Sequence, residues 1–123
     1  MNAQEIGNKL VELCRSGRDH EALSFYDQKA VSVEARVMEP IPAVCEGIDA
    51  IRSKGEWWTA NNEIHRADVR GPFPNGDRFA VIFNYEVTPK VGPMSGKRLN
   101  MEEVGLYTVE NGKIAREEFF YSI

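Results

Sequence analysis

Leu99-Asn-Met-Glu-Glu-Val-Gly-Leu-Tyr-Thr-Val109, then Glu110-Asn-Gly112, then Lys113-Ile-Ala-Arg-Glu-Glu-Phe-Phe-Tyr121 is the stretch whose reading decides the fold. Two β-type runs flank an Asn-Gly pair, the strongest short-range hairpin signal. A type I′ turn needs positive φ at both central positions. Gly adopts it freely and Asn tolerates it, so the turn sets the register of both strands. These strands also carry acidic side chains where a half-buried sheet favours apolar ones, so one hairpin marks both the fold and a candidate binding surface.

Working outward from the hairpin, Pro89 to Gly96 reads as a loop, and Asp77 to Thr88 shows the cleanest alternation in the chain. Phe79, Val81, Phe83, Tyr85 and Val87 share one face of that strand, with Ala80, Ile82, Asn84 and Glu86 on the other. His65, Ala67 and Val69 alternate with Arg66, Asp68 and Arg70, which gives a further strand, and Gly71-Pro-Phe-Pro-Asn-Gly76 reads as a turn-rich hairpin loop. A helix is predicted from Ile48 to about Asn61, with Ile48, Ile51, Arg52, Gly55, Trp58 and Thr59 along one side. The preceding Met38 to Gly47 contains Pro40 and Pro42 and reads as an ordered loop. Ala30 to Arg36 alternates Val31, Val33 and Ala35 with Ser32, Glu34 and Arg36, so the first set is expected to be buried. At the N-terminus, Ile6, Leu10, Leu13 and Cys14 give a helical apolar face from Asn2 to about Arg15. Gly17 stops that helix, and Asp19 caps a short second one from His20 to about Tyr26. The layout is α+β, with three N-terminal helices packed on a strongly curved, mixed or antiparallel sheet of about five strands. Such a cone makes a plausible small-molecule pocket.

Composition narrows the function. At 123 residues the chain fits one domain, 1-123, and its 42% apolar and 28% charged residues match globular norms. A formal net charge of −4 argues against nucleic acid as a partner. Cys14 and Cys45 are too few for a disulfide framework or a zinc site, and Cys14 falls on the first helix's apolar stripe, where packing is the default role. No basic leader with an apolar run and no apolar run near 18 residues occurs, so the expectation is a cytoplasmic chain with no membrane segment.

The element order, with Gly47-Ile-Asp-Ala-Ile51, Gly105-Leu-Tyr-Thr-Val-Glu-Asn-Gly-Lys-Ile114 and Glu117-Glu-Phe-Phe-Tyr121, resembles the nuclear transport factor 2-like superfamily. More closely, the chain looks like the SnoaL-like branch. The resemblance implies a cystatin-like conical fold that carries ketosteroid isomerases, polyketide cyclases, epoxide hydrolases, dehydratases and non-catalytic binding modules. Ketosteroid isomerase needs an Asp base and an oxyanion hole built from a Tyr and a protonated Asp. Laid on this chain without gaps, those positions fall on Leu10, Ala35 and Val104, so none of the three roles survives. A slip of one residue substitutes Glu34 or Glu103, both of which the alternation points away from the core.

The remaining ionisable residues give the candidate chemistry. If the odd-numbered face of Phe79 to Val87 lines the cone, Glu117, Phe119 and Tyr121 are expected there from the last strand, with Glu102, Val104 and Leu106 beside them. Glu102 and Glu117 would then raise one another's pKa and divide the roles of acid and base. The alternative is pairing with Arg98 or Arg116 at a solvated sheet edge. His65 adds a candidate general base, or else a hydrogen-bonded structural residue. Trp57, Trp58, Phe83, Tyr85, Val104, Phe119 and Tyr121 are the candidate lining for a small apolar or aromatic molecule, although core packing also accounts for most of them. The opposite sheet face, read as Ile82, Asn84, Glu86, Met101, Glu103 and Tyr107, suits a homodimer contact. The function expected is a cofactor-independent isomerase, cyclase, dehydratase or hydrolase, or a ligand-binding module without turnover.

Overall fold

In the computed structural model, which describes residues 1 to 122, helix α1 spans Ala3–Arg15 and is held at its start by a capping box. Asn2 Oδ1 accepts from the Glu5 amide at 2.9 Å, and the Glu5 carboxylate accepts from the Asn2 amide at 3.0 Å. Ile6, Leu10 and Val11 bury the apolar stripe. Gly7 lets α1 approach the sheet, because a Cβ there would lie 2.8 Å from the Pro72 ring and 3.1 Å from Phe79. A 3-10 helix, Asp19–Phe25, follows. The third helix, α2, covers Ile48–Ala60.

Six strands form one mixed sheet: β1 (Tyr26–Val33), β2 (Val44–Glu46), β3 (Asn62–Asn75), β4 (Arg78–Pro89), β5 (Leu99–Glu110) and β6 (Lys113–Phe120), in the order β2-β1-β6-β5-β4-β3. β1 runs parallel to β6, and every other neighbouring pair is antiparallel. The sixth strand is β2, which lies just beyond the two prolines, in a segment whose composition points to loop. Gly71 to Asn75 is likewise strand rather than hairpin loop, with a register shift between Arg70 and Phe73 where Pro72 interrupts the ladder. The β5–β6 turn is Asn111 (φ 52°) and Gly112 (φ 76°), and Glu110 pairs with Lys113. Replacing Gly112 by Val forces a β-branched residue into left-handed backbone. It is expected to lower the unfolding free energy by about 1–2 kcal/mol, read from a urea curve.

The face of the sheet under the helices is fixed by Phe79, Val81, Phe83 and Val87, which expose 3% or less. Through the β4–β5 register it continues into Glu103, Gly105 and Tyr107, the partners of Phe83, Val81 and Phe79. Through β5–β6 it continues into Glu117 and Phe119, the partners of Tyr107 and Gly105. On β1 the buried set is Tyr26, Ala30 and Ser32, not the Val31, Val33 and Ala35 set that alternation suggested. Between Tyr26 and Val31 the β1–β6 register shifts, so exposed Asp27, Gln28 and Lys29 bulge out, and Ser32 comes opposite Glu117.

Candidate functional site

Inside the cone a polar network is built from β1, α2, β6 and the residues that follow the two strands. Glu117 is 4% exposed and accepts two hydroxyl protons: Tyr26 donates to Oε1, and Ser32 donates to Oε2 at 2.6 Å. Lys54 reaches down from α2, with its side chain 8% exposed, and its ammonium donates to Ser32 Oγ and, at 2.8 Å, to Glu34 Oε2. Tyr121 closes the network by donating to Glu34 Oε1 at 2.8 Å. The Lys54 nitrogen lies 5.2 Å from the centre of the Phe119 ring, a cation–π contact that replaces part of the water it has lost.

Glu103 differs from its neighbours. It faces inward opposite Phe83, and among the described residues no side chain donates a hydrogen bond to it. Burial, reinforced by the charge of Glu34 and opposed by Lys54, pushes its carboxyl up to about 7. Burial also raises Glu117, against the hydrogen bonds from Ser32 and Tyr26 and the charge of Lys54. Aromatic rings extend the wall beyond these carboxyls. Trp58 lies against Tyr85 with ring centres 5.2 Å apart, Tyr85 stacks on Phe83 at 5.9 Å, and Phe83 meets Phe119 at 6.5 Å. Burial drives the Tyr85 phenol upward, with help from Glu103, so it stays neutral and able to donate. The Cys14 thiol is pushed up to about 12 by burial and by Asp19 and Glu117, which leaves it unreactive.

The sequence-based candidates divide accordingly. Glu117, Phe119, Phe83 and Tyr85 lie on the inner face, and Tyr121 and Trp58 join them through the contacts above. Trp57 is half-buried near the end of α2. Glu102 and Val104 turn the other way, a correction to the expected inward pair with Glu117. Glu102 is exposed opposite Asn84, 3.5 Å from its amide, and lines an open depression with Arg15, Asp68 and Arg70. Val104 pairs with Ile82 and Phe120 on the outer face. Met101, Glu103 and Tyr107, expected on the outer face, are inner. His65 is exposed at an irregularity of edge strand β3, where Nε2 meets Thr88 Oγ1 at 2.7 Å. With β4 and β5 between it and β6, three strand spacings of about 4.8 Å separate it from Glu117. Sequence reasoning missed Tyr26, Ser32 and Lys54, and it named Glu34 and Glu103 only to turn them away from the core. The one available signal for Lys54 was its place between Ile51 and Trp58 at helical spacing.

A model of the SnoaL-like domain matches residues 1–121. The chain belongs to the SnoaL-like family. A Mesorhizobium loti protein described as a candidate SnoaL-like polyketide cyclase is 44% identical, with TM-score 0.85 over 95% of this chain and 97% of its own. At lower identity the likeness shows the fold. A Xanthomonas campestris protein with a cystatin-like fold is 20% identical (TM-score 0.77, 100% of this chain, 92% of its own). A candidate polyketide cyclase of Pseudomonas putida is 16% identical (TM-score 0.73, 100% and 93%). No curated protein matches the chain. Within the SnoaL-like frame the gapless placement on Ala35 and Val104 is off the inner face by one residue. Ser32 is buried and Glu34, just past the end of β1, binds Lys54, while Glu103 on β5 opposes Phe83, so each of the two regions named by the ketosteroid isomerase comparison brings a carboxyl to the inner side. Leu10 remains a buried apolar residue at 2% exposure.

Among the described residues no group of three His, Cys, Asp or Glu side chains is arranged to hold a metal ion, and no helix is long and apolar enough to cross a membrane.

Proposed function

We propose that this SnoaL-like chain works as one domain, with the inner carboxyls as a cofactor-independent acid–base site for a small, ring-containing apolar molecule. The observation that carries the reading is the inward-facing, half-buried Glu103, which among the described residues receives no side-chain hydrogen bond, in a site that also holds the ion-paired Glu34 and a wall of Phe83, Tyr85 and Trp58. Two carboxyls in unlike surroundings can divide the work: one able to hold a proton near neutral pH, the other accepting hydrogen bonds on both oxygens. Isomerisation, aldol-type cyclisation and dehydration all need proton removal beside a carbonyl and proton delivery elsewhere, which such a pair supplies. Glu117 belongs to the same proposal as the anchor of the network.

The test is a panel of cyclic ketones and phenolic polycycles, read by quenching of Trp57 and Trp58 and by deuterium uptake from solvent into the bound compound. Glu103→Gln and Glu34→Gln are each expected to slow deuterium uptake about 100-fold or more while quenching persists. Uptake that survives both substitutions unchanged ends the catalytic reading. A second reading, binding without turnover, draws support from the packing of the network, where Glu34 and Lys54 side chains are 9% and 8% exposed. Quenching without uptake selects it.

The proposal extends to a homodimer through the outer sheet face, where Ile82, Val104 and Leu106 are half-buried and Phe120 is 51% exposed. Light scattering is expected to give twice the chain mass, with Phe120→Glu shifting it toward the monomer. A wild-type monomer at high concentration removes the dimer.

A further inference from the structure

The polar network has a direction. Lys54 has protons to give and none to accept, so its bond to Ser32 occupies a lone pair of that hydroxyl and turns the hydroxyl's own proton toward Glu117. Tyr26 fills the other oxygen of Glu117. A second proton of Lys54 goes to Glu34, whose remaining oxygen takes the Tyr121 proton. Phe119 lies against the same ammonium. Four donor bonds are therefore shared by two carboxyls, and Glu103, on the neighbouring strand of the same face, receives none of them. The titratable groups that act on Glu103 are Glu34 just beyond the end of β1, Lys54 from α2, Tyr85 from β4, and Glu117 and Tyr121 from the C-terminal strand and its end. Lys54 is the cation among them.

We propose that Lys54 is the positioning residue that holds Glu34 and Glu117 as fixed hydrogen-bond acceptors and leaves Glu103 as the carboxyl that exchanges a proton with a bound molecule. The proposal rests on the acid–base reading above. Its chemistry is one reversible step, in which the Glu103 carboxyl O–H breaks, its proton passes to the ligand, and the resulting carboxylate is offset by the Lys54 ammonium. Because Lys54 opposes the burial of Glu103 and Glu34 adds to it, the two neighbours act on this proton with opposite sign.

The experiment is a titration of the Glu103 side-chain carboxyl by carbon NMR, with its signal assigned by its loss in Glu103→Gln. In the wild-type protein the midpoint is expected near 7. Lys54→Met raises it by about one unit or more, a tenfold gain in proton affinity. Lys54→Arg, which keeps the charge, leaves it near the wild-type value. Glu34→Gln lowers it. A midpoint unmoved in Lys54→Met, or raised alike in Lys54→Arg, overturns the proposal, since loss of packing and not of charge would then be at work. If Lys54→Met does not fold, Glu34→Gln decides in the same titration: it removes a negative neighbour and frees the ammonium, so a midpoint that fails to fall overturns the assignment. The titration needs no ligand, so a silent compound panel defeats the acid–base reading and leaves this test standing.

Discussion

At pH 8 Glu103→Gln is expected to be more stable than the wild-type protein by about 3 kcal/mol, and at pH 4 the two are expected to unfold alike. In the unfolded chain Glu103 titrates near the ordinary value of 4.5, and in the folded one at about 7. Between those values the native state binds more protons than the unfolded state, so stability falls as pH rises. Below 4.5 the carboxyl is neutral in both states and contributes no difference. Above 7 it is charged in both, and the native state carries the full burden of a carboxylate that has lost much of its water and is repelled by the charge of Glu34. A displacement of about 2.5 units at about 1.4 kcal/mol per unit gives about 3.4 kcal/mol, an upper bound because Lys54 and local water relax around the charge. Glutamine keeps the shape and never ionises. Urea unfolding at half-unit pH intervals reads the difference directly. Two parallel stability curves between pH 4 and pH 8 would show that Glu103 titrates normally, and the acid–base reading would lose its acid.

The fold was legible because it depends on local signals that agree with one another. Asn111-Gly112 makes the turn it announces, and the alternation from Phe79 to Val87 lies where the core is. The site was less legible because it depends on facing, and facing was altered twice by bulges. Counting back from the two-residue turn pairs Glu117 with Leu106 and so places it on the face of Glu102 and Val104. The register shift between Thr108 and Val109 instead pairs Glu117 with Tyr107, which moves Glu103 inward and Glu102 outward. Gly105 accounts for that choice physically. On the inner face its missing Cβ leaves room for Tyr107, Phe83 and Phe119, whose rings would lie 2.9 to 3.2 Å from an added methyl group. On β1 three bulged residues likewise bring Tyr26 and Ser32 to one carboxylate. Lys54 escaped notice for a different reason. A lysine at an apolar helical position is ordinarily read as a stem lying across the surface. Its burial here depends on Glu34 and Ser32, which are distant in sequence and reach it only through the fold.

The second large effect concerns Glu117. Glu117→Ala is expected to lower the unfolding free energy by about 3–5 kcal/mol, because it leaves the Tyr26 and Ser32 hydroxyls buried without their acceptor and opens a void at a site 4% exposed. Glu117→Gln fills the same volume and still offers an oxygen to one hydroxyl and an amide proton to the other, so about 1–2 kcal/mol is expected for it. The contrast separates packing from polarity. Tyr26→Phe should share most of its effect with Glu117→Gln, and the double variant should fall short of the sum by about 1 kcal/mol or more, the signature of a direct bond in a double-mutant cycle. Additive losses would mean that Glu117 is held by burial alone, and the directed chain from Lys54 through Ser32 would then have no energetic consequence at its far end. A loss in Glu117→Ala well below about 2 kcal/mol would lead to the same conclusion. Chemical denaturation of all the variants at one pH makes the comparison cleanest, because each keeps Glu103 and its contribution is then common to all of them.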